Sequence, residues 1–124
     1  MSAEILHAWA NEVRSGKYIP GIGKLKRENG IDGTVRHCCL GVLCEMAVEA
    51  GVTVEWPLND WSAGCVPFGK GNREIGVLPI EVAEWAGIDT CPQHGEFVLT
   101  NQNDAGTPWS RIANVIDLMA DAQV

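Results

Sequence analysis

Glycine and proline cut this chain into short pieces, and that punctuation limits it to brief helices joined by loops and short strands. A helical stripe runs from about Ser2 to Ser15, with Ile5, Trp9 and Val13 at i, i+4 and i+8 and Leu6 beside them. Gly16 supplies the stop. A second helix is predicted from about Cys38 to Ala50, carried by Leu40, Leu43, Met46 and Ala47 and ended by Gly51. A short third fits Pro79 to Ala86, before Gly87, with Val82, Trp85 and Ala86 facing the core. The last follows Gly106, with Thr107 as cap, Pro108 at its first position and Trp109, Ile112, Ile116 and Met119 as its stripe.

Between these stretches the residues favour turns and strands. Asn29-Gly30 and Asp32-Gly33 are turn signals of the kind found at a hairpin tip. Val52 to Trp56 alternates β-branched and polar residues, and 66–68 and 74–77 are weaker strand candidates. Phe97 to Thr100 suits a strand or a helical turn. The expectation is one α+β domain over residues 1–124, with about four helices packed on a small, irregular antiparallel sheet.

Charge narrows the function. The net charge is −7, yet six basic residues between Arg14 and Arg36 face only Glu28 and Asp32 there. That window is +4 and leaves −11 for the rest of the chain. So acidic a surface repels a long polyanion, which argues against extended nucleic acid. The basic window suits a small anion, an acidic protein patch or solvent. No apolar run approaches the ~18–20 residues of a membrane span. The acidic start, Met1-Ser2-Ala3-Glu4, is unlike a signal peptide, so a cytoplasmic location is expected.

Five cysteines, an odd number with Cys38 and Cys39 adjacent, do not read as a disulfide framework. The stretch His37 to Cys44, with Cys65, Cys91 and His94, raises the question of zinc. Only Cys91-Pro92-Gln93-His94 has the short spacing of a ligand pair. A catalytic reading makes Cys38 a nucleophile at a helix start with His37 or His94 as base, but sequence neighbours seldom reach that geometry. Small apolar core residues are the plainer reading of these thiols. Gly21-Ile22-Gly23-Lys24 lacks the earlier glycine of a nucleotide-hydrolysing loop, and Leu25 stands where a magnesium-binding hydroxyl belongs. Glycine N–H groups beside Lys17, Lys24 and Lys26 retain the chemistry to cradle a phosphate. The segment from Gly106 to Ile116 looks like the start of a helix-turn-helix, but no recognition helix follows it.

Three stretches together resemble a family of small phage-encoded accessory proteins of unassigned function, frequent in phages of actinobacteria. They are Ser15 to Tyr18 with Gly21 to Leu25, then Cys38-Cys39-Leu40-Gly41-Val42-Leu43-Cys44, then Asn103 to Gly106 leading into Ile112-Ala113. Leu78-Pro79 with Trp85 fits as well. The resemblance implies a protein made during infection in the host cytoplasm, and it transfers no catalytic residues. The expectation is a non-enzymatic binding protein that counters host defence or redirects a host process. It needs no cofactor or metal. Its ligand would be a compact, nucleotide-type anion met by Lys17, Tyr18, Lys24, Lys26, Arg27 and Arg36, with its rings on Trp56 or Trp61. A homo-oligomer suits that role. The alternatives are an inhibitor module docking on an acidic host protein and a thiol- or zinc-dependent enzyme.

Overall fold

The computed structural model describes residues 2–21, 26–28, 35–52, 78 and 80–122. The elements run α1 (Ser2–Arg14), β1 (Ile19–Pro20), β2 (Lys26–Glu28), β3 (Val35–His37), α2 (Cys39–Glu49), α3 (Ile80–Ala86), β4 (Gln93–His94), β5 (Phe97–Val98), α4 (Leu99–Asp104) and α5 (Trp109–Asp121). This is the α+β class read from the sequence. The four expected helices form close to their expected bounds, and the glycines that follow them, Gly16, Gly51, Gly87 and the Gly106 before α5, all hold positive φ.

α2 is the centre. Every residue from Cys39 to Cys44 is buried, as befits a first half that is apolar on all sides. α1 packs along α5 and also meets α2 and α3. Leu6, Trp9 and Val13 from α1, Leu40 and Leu43 from α2, and Ile112 and Ile116 from α5 join one buried cluster. The Trp9 indole N–H donates to the Cys39 carbonyl at 2.9 Å, which ties α1 to the start of α2. Trp85 and Trp109 are only half-buried and pack against the outside of this cluster.

The described sheets are small. In the first, β3 lies between β1 and β2, parallel to β1 and antiparallel to β2. β2 and β3 pair antiparallel, and the turn signals at 29–33 between them lie outside the described residues. The second is a hairpin of β4 and β5 turning at Gly95, which has φ 61. Phe97–Thr100 turns out to be both things expected of it, with β5 running straight into α4. The strand candidates at 53–56, 66–68 and 74–77 lie outside the described residues.

α5 begins one position later than expected. Its cap is Pro108, and the Thr107 hydroxyl pairs with Gln102 Oε1 at 2.7 Å instead. The amide of Gln102 reaches that hydroxyl because Thr107 N–H also bonds back to the Gln102 carbonyl at 3.0 Å, closing the turn.

Candidate functional site

The first sheet gathers much of the basic window. Gly16 turns the chain out of α1, and Ser15 steadies the turn: its hydroxyl donates to the Glu12 carbonyl at 2.7 Å and accepts from Lys17 N–H at 3.1 Å. Lys17 and Tyr18 then lead into β1. The register sets Ile19 opposite Arg36 on one side of β3 and Arg27 opposite Arg36 on the other, with Lys26 opposite His37. Five of the eight expected ligand residues, Lys17, Tyr18, Lys26, Arg27 and Arg36, therefore belong to this sheet or its entry. Lys24, Trp56 and Trp61 lie outside the described residues.

The two ends of this region differ. Lys17 Nζ sits 5.4 Å from the Tyr18 ring centre and 3.9 Å from Glu12 Oε1. Burial, then the charges of Glu12, Glu45 and Glu49, push the Tyr18 hydroxyl up to about 12. The Tyr18 end is thus acidic. Arg36 is exposed, and among the described residues its guanidinium donates to the Pro20 carbonyl at 3.4 Å. The other end carries the backbone register that sets Arg27 opposite Arg36.

His37 anchors the sheet to α2. It is 5% exposed, its Nε2 lies 2.9 Å from Glu45 Oε2, and its ring meets Tyr18 edge-on at 4.9 Å. Its Nδ1 is buried and has no hydrogen-bond partner among the described residues. Gly21 is also held. Its N–H donates to the His37 carbonyl at 2.7 Å, and its carbonyl accepts from Asn103 Nδ2 at 2.8 Å. A Cβ there would meet Arg36 Cβ at 3.0 Å. The expected phosphate cradle is corrected at this residue: the Gly21 N–H is spent on β3, and the glycine serves close packing. Gly23 lies outside the described residues.

Sequence reasoning gave Asn103 no role of its own. It is 4% exposed. Its Oδ1 accepts from Cys39 N–H at 3.1 Å and Trp109 Nε1 at 3.0 Å, and its Nδ2 donates to Gly21 and to Asp104 Oδ1. A missing cap was the available signal. α2 starts after Cys38, which makes no side-chain cap, so a first-turn N–H needed an acceptor from elsewhere.

Three of the described thiols are core groups. Cys38, Cys39 and Cys44 are buried, and Cys91 is exposed. Burial pushes the Cys38 thiol up to about 11 and raises Cys39 and Cys44 as well. A nucleophilic cysteine needs the opposite shift. Cys65 lies outside the described residues. Among the described residues, no three His, Cys, Asp or Glu side chains are grouped to hold a metal ion, and no helix is long and apolar enough to cross a membrane.

Fold and site together describe a small α+β protein with a buried cysteine-rich helix and a basic sheet register beside it. The chain belongs to the family described as Domain of unknown function (DUF8296), whose model matches residues 1–120. Neither curated proteins nor solved structures gave a significant match.

Proposed function

We propose that this is a non-enzymatic binding protein that sequesters a compact, nucleotide-type anion at the three-stranded sheet, acting as a phage accessory factor against host defence or on a host process. The observation that supports it is the Arg27–Arg36 register. Like charges directly opposite on paired strands are destabilising, and an anion between them removes that cost. An arginine pair also suits bidentate capture of phosphate oxygens. Lys17 is a weaker contributor, because Glu12 neutralises part of its charge. Lys24 and Lys26 extend the basic segment, and Trp56 and Trp61 remain the proposed stacking rings.

The test is a thermal-shift panel of inorganic phosphate and mono-, di- and cyclic nucleotides. A true ligand at a hundredfold excess over its Kd stabilises by about 2.7 kcal/mol, and Arg36→Ala should abolish the gain. A flat panel would sink the proposal. Exposed Ile19, opposite Arg36 on the edge strand β1, favours a second reading in which the same register docks on an acidic host protein. Native mass spectrometry separates the two and also reports any oligomer.

A further inference from the structure

On another part of the surface, α1, α2 and α3 border an open groove of about 630 Å³. Its floor is apolar. Ile5 from α1, Met46 from α2 and Trp85 from α3 are half-buried there against the core. Along α1, Glu4, Ile5, Ala8, Asn11 and Glu12 fall on one helix face at three- and four-residue spacing. Glu49 and Ala50 follow Met46 at i+3 and i+4 on α2.

Three carboxylates stand around this floor. Among the described residues Glu4 and Glu49 make no ion pair, and Glu12 has Lys17 at 3.9 Å. The groove therefore combines an aromatic and thioether floor, which adapts to apolar side chains, with a rim of three carboxylates, two of them without an ion pair among the described residues.

We infer that this groove docks a basic amphipathic helix of a partner protein. The acidic rim repels nucleic acid and anionic lipid, so the partner surface is cationic. The α1 face from Glu4 to Glu12 is about 12 Å long at 1.5 Å per residue. That length accommodates two turns of a docked helix, with apolar anchors at i, i+4 and i+7 on the floor and Lys or Arg flanking them. A second copy does not supply this. The described helices carry only Arg14 and Arg111 as permanent cations, and Arg14 is engaged by Asp117 at 2.7 Å. The net charge of −7 opposes pairing of two such faces as well.

The probe is a labelled Leu/Lys peptide of about 15 residues, long enough to form a helix, titrated into the full-length protein by anisotropy and by amide chemical-shift mapping. Shift changes are expected at Ile5, Ala8, Met46, Ala50 and the Trp85 indole. The Glu4→Gln, Glu49→Gln double variant should weaken binding roughly three- to tenfold and flatten its salt dependence. These neutral swaps on exposed helix positions leave the core intact, so a folded variant is assured by its unchanged melting curve.

Three results overturn the inference: shifts that miss the groove, equal affinity for the double variant, or equal affinity for a Lys peptide whose leucines are replaced by serine. Sedimentation showing a dimer that Met46→Glu dissociates also overturns it, because the occupant is then a second copy. Phosphate and nucleotide binding at Arg36 is read separately, so either proposal can fail alone.

Discussion

Asn103 shows how much a single side chain can hold in a small protein. Its amide has its oxygen toward two N–H donors and its nitrogen toward two oxygens, the one orientation that satisfies all four. Removing it strands the Cys39 N–H and the Gly21 carbonyl in a part-buried setting. Asn103→Ala should therefore cost about 2–4 kcal/mol, measured by urea unfolding, since each buried orphan costs ~1–3 kcal/mol. The cysteines offer a second check at this scale. Maleimide labelling of the native protein followed by peptide mapping should modify Cys91 rapidly. Cys38, Cys39 and Cys44 should react only at the rate of unfolding, because their thiols are both covered and protonated. Fast labelling of Cys38 would revive the nucleophile reading.

Among the elements, α1 and α5 are joined by a polar clasp along one edge of their apolar contact. His7 lies 2.8 Å from Asp117 and 3.3 Å from Asp121, while Arg14 reaches Asp117 at 2.7 Å. The Asp117 hydrogen bond, against slight desolvation, raises the His7 pKa above 6.5. Asp117 is partly desolvated, which works to raise its carboxyl, but Arg14 and then His7 hold it below 3.8. The signs set a window. The His7 contribution is complete below its unfolded value and fades as pH rises through the raised folded value. The Asp117 contribution is present above its unfolded value and disappears as pH falls through the lowered one. His7→Gln should therefore lower Tm at about pH 5.5 and leave it unchanged at about pH 9. An equal loss at both would mean that the ring acts by packing.

The same scale separates what the sequence reveals from what it conceals. α1, α2, α3 and α5 were legible because each joins an apolar stripe to a glycine stop or a proline start. α4 was not, because Leu-Thr-Asn-Gln-Asn-Asp has no stripe and is held by bonds to distant residues. β1 to β5 are two or three residues long, too short to show a period of two. The basic window is visible in the charges, and so is its grouping in sequence. The acidic side of the Tyr18 neighbourhood is not, because Glu12, Glu45 and Glu49 meet only after α1 and α2 have packed.

For the whole molecule, protection should follow the layering. Leu40 and Leu43 of α2 and Ile112 and Ile116 of α5 have no exposed surface, whereas both strands of the β4–β5 hairpin are exposed or half-exposed. Hydrogen exchange should be slowest at those helical amides and fast across 93–98. The reverse order would show that the hairpin carries the stable unit and that the helices assemble on it.

The Asn103 junction has a consequence in time as well as in energy. Two of its bonds span 82 and 64 residues of chain, so forming them early would cost loop-closure entropy before other contacts offset it. Interactions absent from the transition state act on the unfolding rate. In stopped-flow experiments Asn103→Ala should speed unfolding and leave the folding limb nearly unmoved. One amide, closing last, would then set how long the native protein survives once formed.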